Sequence, residues 1–164
     1  MSPNFNKAID KSTEVLSSFG VDSPPVPLID IVTSYGIDIV YANFSSIPKG
    51  NEIAGFIDLD RNKIFVNKSD SPSRQRFTIA HEFGHYLLHE SYVRDKKRYA
   101  VLLRRPLKDL NYSEEEKEAN CFAANLLVPN QILSKYKDFP NGIIASLFAV
   151  SEDVVKYNRK RNYG

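Results

Sequence analysis

Residues 81–85 read His81-Glu82-Phe83-Gly84-His85, and this string constrains the fold more than any other feature of the chain. On an α-helix, positions i and i+4 stand one turn apart on one face. Two imidazoles so placed can grip one metal ion, and the glutamate beside the first can take a proton from water. The bland alternative is a surface helix with two unrelated histidines, and the flanks argue against it. Ser71-Pro72 supplies an N-cap followed by proline at the first helical position. From there a helix is expected to about Glu90, with Phe77, Ala80, Phe83, Gly84, Leu87 and Leu88 as its buried side. Gly84 costs about 1 kcal/mol relative to alanine inside a helix, so it implies close approach of another backbone or of a substrate.

A chain of 164 residues fits one domain with at most a small appendage. Hydrophobic content of 42% and charged content of 26% are those of a soluble globular protein. A net charge of +2 is too small to argue for nucleic acid or membrane on its own. The single cysteine, Cys121, excludes an internal disulfide framework and fits a reducing cytoplasm. No apolar run approaches bilayer length, and Met1 to Asp10 lacks a signal pattern. The expected location is cytoplasmic, with no membrane partner.

Along the chain, Phe5, Ala8, Ile9, Val15, Leu16 and Phe19 recur at helical spacing before Gly20. Ser23 to Pro27 is a stiff connector, and Leu28, Ile31, Val32 and Tyr35 form a short helix closed by Gly36. Three strands are expected, over Ile37–Tyr41, Ala54–Leu59 and Lys63–Asn67, the last two forming a hairpin around Asp60-Arg61-Asn62. Arg94 to Lys108 is strongly basic and reads as a solvated loop or irregular strand. Ser113-Glu114-Glu115-Glu116 opens a helix that runs to about Val128. Gly142 to Arg161 forms two short helices around Val150-Ser151, so residues 1–140 are read as the main domain and 141–164 as an appendage packed on it.

A catalytic zinc takes three protein ligands and keeps one position open. His81 and His85 are two of them. His89 lies too far along a straight helix to join both, which leaves the glutamate-rich helix as the source of the third. From Glu116 one face reads Ala119, Asn120, Ala123, Leu127; from Glu118 it reads Cys121, Phe122, Asn125. The first face is flatter, and Asn120 can orient a metal-bound imidazole through its free N–H. Glu116 is therefore the favoured ligand over Glu118. Glu82 is the expected base. A tetrahedral oxyanion needs a further donor, for which His89, Tyr86, Tyr112 and Arg105 are candidates. The hairpin strands offer a possible edge to an extended peptide.

The string from Ile79 to His89, followed by Glu116 to Pro129, resembles the ImmA/IrrE family of zinc metallopeptidases, two motifs in the right order. Proline after Leu127-Val128 and the basic linker depart from the commoner pattern without touching a ligand. The resemblance implies a zincin-like α+β fold: a small three-stranded sheet packed on helices, including the motif helix, with a helix-turn-helix-like pair at the C-terminus. It also implies zinc held by His81, His85 and a glutamate of the second helix, with Glu82 as base. The implied substrate is a helix-turn-helix repressor, cut to release phage, mobile-element or stress genes. Two other classes compete: a zinc protease acting as toxin or regulator of a two-gene module, and a non-proteolytic module that keeps the metal site. The terminal helix carries Lys156, Arg159, Lys160 and Arg161, as a DNA-reading helix would. Its cations are also favoured by the helix dipole alone, and specific DNA binding is not expected.

Overall fold

Helix α1 (Phe5–Phe19) is closed at both ends by side chains and backbone that its own sequence supplies. Asn4 accepts the Lys7 N–H at the start, and Gly20, at φ 63, turns its N–H back onto the last carbonyls. Ala8, Ser12 and Val15 form its buried stripe. The computed structural model describes residues 2–103, 107 and 112–163. After α2 (Leu28–Ser34) come strands β1 (Asp38–Ala42), β2 (Ile53–Asp58) and β3 (Lys63–Asn67). The β2–β3 turn closes with Asn62 at φ 51, a left-handed position that asparagine tolerates.

The sheet has four strands, not the expected three, in the order β1-β3-β2-β4. The added strand, β4, is only Leu102–Leu103, inside the segment whose charge suggested a loop. It pairs antiparallel with Ile53 and Gly55 of β2 across a register shift. β1 runs parallel to β3 and β2 antiparallel to it, so the sheet is mixed. β3 is thus an inner strand and β2 is flanked on both sides. The β2 edge expected to await a peptide is taken at its start by β4, and Ile57 N–H is taken by the Tyr99 hydroxyl at 2.9 Å.

Helix α3 (Pro72–Leu88) begins on Ser71, which accepts the Arg74 N–H, and lies across β2 and β3. It stops two residues earlier than the periodicity suggests. His89 leaves helical backbone at φ −134, and a new short helix, α4 (Glu90–Arg94), follows. Helix α5 (Glu114–Leu127), capped by Ser113 accepting the Glu116 N–H, packs on α3 with one flank and on α1 with another. After α6 (Asn130–Leu133) and a single 3-10 turn come α7 (Asn141–Phe148) and α8 (Glu152–Tyr163). Phe83, Phe122, Leu126 and Phe148 fill the centre without exposure.

The last helix is tied into this core. The fully buried Asn158 donates to the Ala124 and Val128 carbonyls at the end of α5, at 2.6 and 3.0 Å. No described helix is long and apolar enough to cross a membrane.

Candidate metal centre

At Gly84, α3 packs closely against α5. A Cβ there would stand 2.8 Å from a ring carbon of Phe122. The close approach that the glycine implied is thus made by an aromatic side chain of α5, rather than by backbone or substrate. Ala119 and Ala123 lie fully buried on the same helix. Small residues on α5 and a missing side chain on α3 bring one turn of each helix into side-chain reach of the other.

Across that seam His81, His85 and Glu116 converge, with one ligand atom from each lying within 4.8 Å of the others. Glu116 Oε1 is 3.2 Å from His81 Nε2, and Glu116 Oε2 is 2.6 Å from His85 Nε2. The shorter approach lacks hydrogen-bond alignment, so both of its atoms are buried without a hydrogen-bond partner. Buried polar atoms are normally paired. Two nitrogens and a carboxylate turned onto one point, with two atoms unpaired, are a donor set that fits a dication of zinc type. Glu118 lies apart from the group. Its carboxylate takes the Asn4 N–H at 2.7 Å and meets His89 Nε2 at 2.8 Å.

The ring orientations agree with that fit. Asn120 Oδ1 accepts from His81 Nδ1 at 2.8 Å, the role the helical face of Glu116 suggested, so in the neutral ring the Nε2 lone pair faces Glu116 and the shared point. Burial holds the His85 imidazole down to about 4, so it is neutral at physiological pH. Burial opposes charge on Glu116 and on His81 alike, but each outweighs it for the other: the carboxyl falls well below its usual range and the His81 ring rises. A carboxylate between two imidazoles attracts positive charge, whether a proton or a metal ion.

Glu82 leaves the helix on another side and is fully buried. Its two oxygens lie 3.1 and 3.3 Å from the Tyr99 hydroxyl, which donates to them while accepting from Ile57 N–H. Burial lifts the Glu82 carboxyl to about 8, and a dication nearby would pull it down. Burial, reinforced by Glu82, keeps the Tyr99 phenol protonated. Tyr92 stacks edge-on against Tyr99, and burial together with Glu116 pushes its phenol to about 12. The sequence reading missed both tyrosines: Tyr99 follows a basic run with no period to mark it, and Tyr92 lies in the five-residue helix α4, too short to show one.

The proposed oxyanion donors fare differently. His89 has both ring nitrogens engaged, by His85 and by Glu118. Tyr86 packs against Tyr35 and Phe83. Tyr112 lines a cleft of about 180 Å³ with Phe77, Leu102 and Leu103; His81 is not part of its lining, and its ring centroid lies 6.3 Å from that of Phe77. Arg105 lies outside the described residues. In the C-terminal helix, Arg159 is turned inward, bonding Asn141 Oδ1 at 2.7 Å and the Lys137 and Phe139 carbonyls at 2.8 and 2.7 Å. Arg161 sits over the Phe5 ring at 4.6 Å. Two of the four cations expected on a DNA-reading face therefore hold the protein together.

The sequence matches the model of a family described as IrrE N-terminal-like domain, Peptidase_M78, over residues 32–160. An uncharacterized immunity region protein 2 of Bacillus phage phi105 is 32% identical over 106 residues, 60% of each chain. This chain thus spans about 60% of that relative's length. A Mycobacterium tuberculosis transcriptional regulator of known structure superposes with a TM-score of 0.64 at 14% identity, covering 93% of this chain and 46% of that one. That likeness is one of fold. The family match runs from α2 into α8 and encloses both histidines, Glu82 and Glu116, so this chain belongs to the IrrE N-terminal-like family of metallopeptidases.

Proposed function

We propose that the protein is a zinc-dependent endopeptidase of the cytoplasm whose substrate is a helix-turn-helix transcriptional repressor, and that the cut releases phage, mobile-element or stress genes. The observation that carries the chemistry is the meeting of two histidine nitrogens and a buried carboxylate beside Glu82. His81, His85 and Glu116 would hold the ion. Bound there, zinc supplies Lewis acidity, which polarises a carbonyl and acidifies water.

The chain's own residues do the rest. Glu82 takes the proton of the attacking water and returns it to the leaving amine. Tyr99 orients the Glu82 carboxylate through its hydroxyl. Asn120 holds the His81 ring in one tautomer. The cleft at Phe77, Leu102 and Tyr112, which Ser73, Arg74 and Asp153 also line, offers apolar and polar contacts to a substrate side chain. The repressor target is supported by the phage relative's place in an immunity region. The terminal residues 141–164 act as a helical appendage for protein contact rather than DNA reading, supported by the hydrogen bonds of Arg159 to backbone carbonyls and the seat of Arg161 over the Phe5 ring.

The test is to incubate the protein with zinc and the product of its neighbouring gene, then weigh the fragments. Two defined fragments are expected with wild type. Glu82→Gln should keep zinc and the fold yet lose cleavage by about 10²- to 10⁴-fold, the usual contribution of a general base. Cleavage at the wild-type rate by Glu82→Gln would remove Glu82 as the base. An intact partner with zinc-loaded wild type would remove that repressor as substrate.

A further inference from the structure

His85 is fully buried, and its second ring nitrogen, Nδ1, faces His89 Nδ1 at 2.9 Å. The proton arrangement follows by elimination. A neutral imidazole carries one N–H. If Nε2 of His85 is to offer its lone pair to a metal, the proton must sit on Nδ1 and needs a buried acceptor. The atom in reach is His89 Nδ1, which can accept only if the His89 proton is on Nε2. That Nε2–H in turn points at Glu118 Oε1, 2.8 Å away. The remaining Glu118 oxygen receives the Asn4 N–H at 2.7 Å, so the carboxylate is pinned between α5 and the start of α1. Every donor in this chain finds an acceptor, and the direction of donation is the same throughout.

We propose that His89 and Glu118 are positioning residues: through the run His85–His89–Glu118 they fix the tautomer and orientation of His85 and strengthen it as a metal ligand. The proposal rests on the metal reading given above. Outer partners of this kind are typically worth about 10- to 100-fold in metal affinity. The usual arrangement is a carboxylate or carbonyl directly on the ligand imidazole. Here a second imidazole intervenes, placed by the i, i+4 spacing: the His89 N–H still bonds the His85 carbonyl at 2.8 Å, so the two rings stand one helical turn apart.

The identity of the contacting atom gives a sharp test. Asparagine Oδ1 can stand where histidine Nδ1 stands and accept the same proton. His89→Asn should therefore retain zinc affinity within about threefold, whereas His89→Phe, of similar bulk and with no acceptor, should lose about 10- to 100-fold. Affinity is measured by competition with a chelator. In zinc-loaded protein, the His85 Nδ1–H should give a slowly exchanging imidazole proton signal in wild type and His89→Asn. That signal should vanish into exchange in His89→Phe. If His89→Phe does not fold, Glu118→Leu decides: it frees the His89 N–H and should lower affinity in the same direction. Equal affinity and an unchanged His85 proton signal in the folded variants overturn the proposal while leaving the metal centre standing. Failure of the wild type to bind zinc would overturn both.

Discussion

Replacing Gly84 by alanine tests whether the helix seam sets the metal centre. The added Cβ would lie 2.8 Å from Phe122 Cδ1 and 3.2 Å from Cγ. Non-bonded carbons rest about 3.5–4.0 Å apart. α3 and α5 must therefore separate by about 0.7 Å, or the Phe122 ring must turn in a core where it has no exposure. Alanine gains about 1 kcal/mol of helix propensity over glycine. Overpacking a filled core costs about 1–3 kcal/mol. The net expectation is a loss of up to about 2 kcal/mol in the metal-free protein, read by denaturant unfolding. Zinc affinity should suffer as well. Metal–ligand distances tolerate shifts of only about 0.2 Å, and a displaced α5 carries Glu116 with it, so a fall of about tenfold or more is expected. Adding Phe122→Leu removes the ring atoms in the way. In that background Gly84→Ala should be neutral or stabilising, a coupling of about 0.5–3 kcal/mol. Additive effects of the two changes would refute the idea that this contact governs the seam.

The metal centre makes a second prediction: purified protein should bind about one zinc per chain, as an open three-ligand site does. His81→Ala and His85→Ala should each abolish this, and Glu116→Gln should weaken it far more than Glu118→Gln; the reverse order would unseat Glu116 as third ligand. Tyr99→Phe strips a hydroxyl from Glu82 and from Ile57 N–H and should cost about 1–2 kcal/mol in equilibrium unfolding, and an unaltered curve would show that the phenol is dispensable. Arg159→Gln should destabilise by about 1.5–3 kcal/mol through its lost charged hydrogen bonds, whereas a titration of DNA upstream of the gene should show only weak, salt-sensitive, sequence-indifferent binding. A tight specific complex lost on neutralising Lys156, Arg159, Lys160 and Arg161 would reverse that view.

Features legible in the sequence are those governed by neighbours a turn away. The i, i+4 spacing of His81 and His85 requires only a helix to become geometry, and Ser71 and Ser113 cap helices through N–H groups three residues on. The face Glu116, Ala119, Asn120, Ala123 also has the helix period, which is why a ligand and its orienting amide could be picked from it. The hairpin strands and the short terminal helices carry similar local marks.

Other features come from segments that meet only after folding. β4 is two residues long, too short for any alternation to announce it, and exists because Ile53 and Gly55 give it partners. Tyr99 reaches Glu82 across a break between helices that no pattern encodes. His89 stands one turn from His85 by spacing alone, but its second nitrogen meets Glu118 only when α5 packs against α3. Arg159 and Arg161 look like a solvated basic stripe until carbonyls of the preceding turn and the Phe5 ring are brought beside them. Local periodicity specifies which residues share one face. Which face meets which depends on closing long loops, and its outcome depends on packing, such as a ring of Phe122 resting on the bare backbone of Gly84.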